Sequence, residues 1–82
     1  MPKYRARIVI KLKKDYADPE GKIAANSLRE LGFNIESVRA GKVYFVEFIA
    51  EDENHARKVA EEMCKKLLAN PVKDDYEIEF YK

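Results

Sequence analysis

Cysteine occurs once in these 82 residues, histidine once and tryptophan not at all. A single thiol excludes an internal disulfide and any zinc site built on cysteine pairs. A single imidazole excludes His-pair metal centres and leaves every histidine-dependent catalytic scheme with one candidate. An excess of one charge is also missing: 16 Lys and Arg stand against 15 Asp and Glu, for a net charge of +1. Nucleic-acid binders draw their affinity from a cationic excess, so this balance argues against nucleic acid as the partner. No apolar run approaches the ~18 residues of a membrane span, and Met1-Pro2-Lys3 does not open a signal peptide. A cytoplasmic protein with a reduced thiol is expected. What the chain does have is 46% apolar and 38% charged residues, the balance of a globular protein. A chain of this length hides only about 60% of its unfolded surface on folding. One domain is therefore expected, 1–82, with little volume for an enclosed active site.

Hydrophobic periodicity divides the chain into six elements. From Lys3 to Lys13 the residues alternate, with Tyr4, Ala6, Ile8, Ile10 and Leu12 on one face and Arg5, Arg7, Val9 and Lys11 on the other. Period two with β-branched residues is a half-buried strand. Asp18-Pro19-Glu20 starts a helix, with Asp as N-cap, Pro at the first helical position and an acid facing the positive end of the dipole. That helix runs to Leu31, where Gly32 supplies a left-handed stop and Phe33 can fold back on it. Asn34 to Arg39 reads as a short second strand with a slip in its alternation, and Ala40-Gly41 as the tight turn of a hairpin. Lys42 to Ala50 is a third strand, with Tyr44, Val46 and Phe48 facing one way and Val43, Phe45, Glu47 and Ile49 the other. A second helix opens at Glu51-Asp52-Glu53, carries Ala56, Val59, Ala60, Met63 and Leu67 at helical spacing, and stops at Asn70-Pro71. Tyr76, Ile78 and Phe80 alternate with Glu77, Glu79 and Tyr81 in a last strand.

The order β-α-β-β-α-β predicts an α+β, ferredoxin-like two-layer sandwich. Its antiparallel sheet has four strands in the spatial order fourth-first-third-second, with both helices on one face. Two surfaces follow. One rim of the sheet gathers three loops far apart in sequence, carrying Lys13, Lys14, Asp18, Pro19, Gly21, Arg39, Gly41, Lys42, Asn70 and Pro71. The cations there suit an anion or an acidic partner surface. Gly21 in the first turn of a helix costs about 1 kcal/mol relative to Ala, which fits a close approach to that backbone. The second surface is the sheet face no helix covers. There Arg5, Arg7 and Lys11 lie between Glu47, Glu77 and Glu79, leaving Val9, Val43, Phe45 and Ile49 as an apolar patch. Such patches mark partner sites, and a small domain gains stability by burying one in a homo-oligomer.

No catalytic constellation emerges. His55 lies in the first turn of the second helix without a nucleophile in a recognisable setting, and Cys64 lies beside the helix's apolar stripe as a structural thiol. The three glycines are isolated, so no phosphate-cradling loop exists. The segment Phe45-Val46-Glu47-Phe48 partly echoes an RNA-recognition strand, but Val43 and Val9 stand where stacking rings are needed.

Asp18-Pro19-Glu20-Gly21, Leu31-Gly32-Phe33, Val38-Arg39-Ala40-Gly41-Lys42 and Cys64-Lys65-Lys66-Leu67-Leu68-Ala69-Asn70-Pro71, followed by Tyr76-Glu77-Ile78, stand in the order and spacing of PurS. The chain thus resembles, from first strand to last, the small subunit of phosphoribosylformylglycinamidine synthase. The resemblance implies a role in de novo purine synthesis. It implies a homodimer or tetramer with no catalytic residue and no cofactor or metal of its own. The partners implied are a PurL-like synthetase, which uses ATP and Mg, and a PurQ-like glutaminase; no nucleic acid and no membrane take part. The subunit would join the two enzymes and help shield ammonia in transit. Two other readings compete: a stand-alone regulatory domain binding a small effector, and a weak RNA binder.

Overall fold

The computed structural model describes residues 1–82. Strand β1 (Lys3–Leu12) leads to helix α1 (Pro19–Glu30), strand β2 (Gly41–Ile49), helix α2 (Glu53–Met63), one π-helical segment (Cys64–Leu68) and strand β3 (Asp74–Tyr81). The strands form one antiparallel sheet in the order β2-β1-β3. β1 is central, and its alternation is realised: Ala6, Ile8 and Ile10 are buried while Arg5, Arg7 and Lys11 are exposed. Ile8 stands opposite Tyr44 on one side and Ile78 on the other, so the inner face forms cross-strand rows. The core is Ala6, Ile8, Ile10, Cys64 and Ala69, flanked by half-buried aromatics such as Tyr44, Phe48 and Phe80. Alanines at 56 and 60, both fully buried, give α2 a smooth inner side.

The helix starts form as the sequence predicts. Asp18 caps α1, its carboxylate accepting from the Gly21 N–H, and Asp52 caps α2 by accepting from the His55 N–H. At the end of α1, Gly32 adopts φ +99°. The Phe33 N–H bonds to the Leu28 carbonyl and the Gly32 N–H to the Arg29 carbonyl, the two bonds of a Schellman stop. The last turn after α2 departs from expectation. The Ala69 N–H reaches the Cys64 carbonyl five residues back, at 2.9 Å. That wider turn shifts the helical phase, so Leu67, expected on the buried stripe, is 83% exposed and Leu68 turns inward instead.

The larger correction concerns the sheet, which has three strands and not four. Residues 34–39, expected as the second strand, do not pair with it. The Arg29 guanidinium holds them back, donating to the carbonyls of Ile35 (3.0 Å) and Glu36 (2.9 Å) and tying the segment to α1. The expected hairpin at Ala40-Gly41 is also absent. Tight hairpin turns need a positive φ, and only Gly32 has one. The Ala40 N–H is held by Asp18 instead, and the chain runs directly into β2. The position beside β2 that the ferredoxin-like order assigns to a second strand is therefore empty. Nor is the two-helix layer complete, because no α1 side chain joins the core cluster. The molecule measures 52 × 28 × 14 Å, with a radius of gyration of 16.2 Å. A compact domain of this length would have about 12 Å.

Candidate interaction surfaces

The rim is built on one carboxylate. Asp18 is 6% exposed and accepts two backbone hydrogen bonds, from Gly21 (3.0 Å) and from Ala40 (2.7 Å). These bonds hold its carboxyl below the ordinary value of 3.8; the Gly21 amide acts most strongly, then the Ala40 amide, with the Arg39 charge assisting. Arg39 serves the same junction, its guanidinium donating to the carbonyls of Leu12, Lys13 and Tyr16. Gly21 is the third member: a Cβ there would overlap the Val38 carbonyl oxygen. The close approach expected at Gly21 is thus made by the chain's own backbone. Asp18, Gly21 and Arg39 fasten the loops of the rim together.

The linkage has a definite sign. A carboxyl whose folded pKa is depressed contributes stability above its unfolded value and loses it as pH falls through the folded one. Wild-type stability should therefore decline on acidification below about 3.8, the ordinary value. Asp18→Asn should already be less stable at neutral pH, because its NH2 group would face an amide donor, and should show a shallower acid decline. Thermal melts across that range measure both.

The other rim residues separate by role. Lys13 is half-buried and its N–H bonds to the Lys73 carbonyl (2.7 Å), joining the first loop to the last. The Asn70 side chain accepts from the amides of Val72 and Lys73, making it a turn-former. Pro19, Gly41, Lys42 and Pro71 are exposed. Two apolar side chains near Pro71, Leu67 and Val72 (68% exposed), join the rim without having been expected there. Leu67 could not be found from sequence, because only the π turn exposes it. Clefts line this end, one of about 490 Å³ between α1 and the 36–39 segment, open and bordered by Lys22, Asn26, Arg29 and Arg39, and one of about 580 Å³ beside Lys13 and Pro71.

On the open sheet face, Val9 and Val43 are direct cross-strand partners and Phe45, 67% exposed, lies beside them. Phe45 also meets Tyr81 edge to face, with ring centroids 6.2 Å apart. Tyr81 was legible as a member of this face, since it shares the parity of Glu77 and Glu79. Ile49 points the same way but stands apart, beyond Glu47. Arg5 hydrogen-bonds Glu47 at 3.0 Å and, by that bond first and its charge second, holds the Glu47 carboxyl below its ordinary value. Lys11 pairs with Glu77 at 3.7 Å. Both pairs are exposed and contribute little to stability.

The groups with catalytic potential are engaged structurally. His55 Nδ1 accepts from the Glu51 N–H at 3.0 Å, which closes the start of α2. Cys64 is fully buried, and burial pushes its thiol up, assisted by the Glu61 charge. No group of three or more His, Cys, Asp or Glu is placed to hold a metal ion, and no helix is long and apolar enough to cross a membrane.

What fold and surface define together is a small α+β protein whose distinctive features are a fastened rim and an open apolar sheet face. Comparison with known proteins gives the particular family. The family profile PurS, phosphoribosylformylglycinamidine (FGAM) synthase, matches residues 5–82. The phosphoribosylformylglycinamidine synthase subunit PurS of Methanocaldococcus jannaschii is 45% identical over 80 residues, 96% of each chain. Its crystal structure, described as one of the subunits of formylglycinamide ribonucleotide amidotransferase, superposes with a TM-score of 0.83. A chain in the structure of PurLQS from Thermotoga maritima is 30% identical, with a TM-score of 0.91 and 99% of this chain and 100% of that one covered. The chain belongs to the PurS family, the small subunits of FGAM synthase.

Proposed function

We propose that this chain joins a PurL-like synthetase to a PurQ-like glutaminase in the cytoplasm and contributes no reacting group of its own. The observation that carries this reading is the full-length likeness to a chain of the PurLQS structure. ATP and Mg belong, on this reading, to the synthetase, and ammonia released by the glutaminase passes under the cover the small subunit helps provide. The exposed part of the rim is the contact surface: Lys42, Pro19 and Pro71, with Leu67 and Val72 adding apolar area. The open sheet face, Val9, Val43 and Phe45 with Tyr81, drives self-association, with Ile49 at its margin. The competing effector-binding reading loses support at the rim, because Arg39 and Asp18 spend their polar groups on the chain's own backbone.

Reconstitution tests the bridging role. Leaving this chain out of a mixture of synthetase and glutaminase should abolish glutamine-dependent turnover while ammonia-dependent turnover persists; glutamine-dependent turnover at full rate would reject it. At the rim, Lys42→Glu with Val72→Asp should raise the concentration needed for half-maximal activity by roughly 10-fold or more. An unchanged titration would reject the rim as the contact.

A further inference from the structure

We propose that His55 is a proton-operated latch on the entry to α2: the neutral ring holds the Glu51 amide, and the imidazolium releases it and turns to the carboxylates beside it. Two reciprocal bonds close the corner between β2 and α2. The Asp52 carboxylate accepts from the His55 N–H at 2.8 Å, and His55 Nδ1 accepts from the Glu51 N–H at 3.0 Å. The arrangement is a variant of the capping box, in which the third helical residue reaches back to the backbone ahead of the helix. Glu or Gln ordinarily fills that place, with an oxygen that accepts throughout the physiological range. Here it is filled by imidazole, the side chain that changes charge between about pH 5 and 8.

The bond selects the protonation state that can make it. An N–H points at Nδ1, so that nitrogen carries its lone pair and the proton of the neutral ring sits on Nε2. The imidazolium donates at both nitrogens and accepts at neither. Two N–H groups would then confront one another, and the ring must leave. Its new partners stand in the same turn. Glu51, Asp52 and Glu53 take part in none of the molecule's ion pairs, and neither does His55. The other charged and titratable groups on the elements that meet here are placed elsewhere or unpaired. Arg57 lies over the Phe80 ring at 5.3 Å, and Lys3 pairs with Glu47 at 4.0 Å. Tyr4 packs with Phe48 and Phe80, and the Met1 amino group, Lys58 and Lys82 pair with no carboxylate.

The release is confined to the corner. Ala50, on one side, is fully buried and its N–H bonds to the Pro2 carbonyl at 3.2 Å. Ala56, on the other, is fully buried and its N–H bonds to the Asp52 carbonyl at 2.9 Å. Neither bond involves the ring. Residues 51–54 between them are exposed and His55 is half-buried, so the latch can open without disturbing the core. The inference is independent of the bridging role.

The test is NMR spectroscopy of the whole isotope-labelled chain from about pH 8 to pH 5, the range in which imidazoles titrate. At the upper end the ring nitrogens should report the Nε2–H tautomer. On acidification the Glu51 amide proton should move upfield with the same midpoint as the His55 ring. Its protection, taken relative to the intrinsic exchange rate, should fall roughly 10-fold, as expected for one lost hydrogen bond. The Ala50 and Ala56 amides should keep theirs. His55→Gln, whose amide oxygen accepts at every pH, should hold the Glu51 signal and protection constant. His55→Ala should show the released Glu51 amide already at neutral pH. The proposal is overturned if the Glu51 amide keeps its shift and protection through the ring's titration, or if the same change occurs in His55→Gln.

Discussion

Gly21→Val is expected to lower the melting temperature by roughly 10–20 °C, in line with the few kcal/mol that overpacking costs and the steep melting response of a small domain. The reason is local. Gly21 sits in the first turn of α1 with the Val38 carbonyl oxygen against its Cα, and a side chain there would collide with backbone that cannot swing aside. Val38 is held on one side by the Arg29 bonds at 35–36 and on the other by the Asp18 bond to Ala40. Pushing it away breaks the double acceptor role of Asp18 and frees the 33–40 return from α1. Gly32 supplies the control of different cause. Nothing lies near a Cβ there, yet φ is +99°, so Gly32→Ala should cost only the backbone strain of a left-handed residue. Differential scanning calorimetry of the two variants separates collision from strain. A Gly21→Val protein melting like wild type would show that the 33–40 return does not depend on this junction.

Phe45→Glu should convert the self-associated protein to monomer, raising the dissociation constant roughly 100-fold or more. A carboxylate placed at the centre of an apolar interface loses its solvation, and Arg7, directly opposite on β1, offsets only part of that cost. The monomer itself should tolerate the change, since Phe45 is 67% exposed and outside the core. Sedimentation velocity reads the association and a thermal melt of the dilute protein reads the fold. An unchanged sedimentation coefficient would remove the sheet face from the interface. Tyr81→Ala should weaken association less, because Tyr81 contributes one edge-to-face contact at the patch margin.

The parts of the fold that were legible in the sequence are those set by local chemistry. The alternation of β1 and β2, the caps at Asp18 and Asp52 and the left-handed stop at Gly32 all depend on residues within a few positions of one another. The open sheet face was legible for the same reason, since parity along a strand fixes which side each residue occupies. Residues 34–39 misled because strand propensity says that a segment is extended, not what it pairs with. The deciding contacts come from Arg29 and Asp18, whose reach across the chain carries no periodic signal. Leu67 misled because one π turn moves the helical phase by a residue, and nothing in Cys64-Lys65-Lys66-Leu67-Leu68 announces it. At the rim, residue types indicated that Asp18, Gly21 and Arg39 converge, but not that they fasten the chain to itself, because that depends on bonds to backbone groups far away in sequence.

The central position of β1 bears on how the molecule comes into being. The first strand made is the one both others need, and its partner β3 is the last, with Arg5 opposite Tyr81 and Leu12 opposite Asp74. Until β3 leaves the ribosome, β1 can close only half of its backbone ladder, with β2. Pairing strands so remote in sequence places folding toward the slower range for domains of this size. A nascent chain stalled before Asp74 would hold β1, β2 and the helices but leave the β3 side of β1 without its ladder.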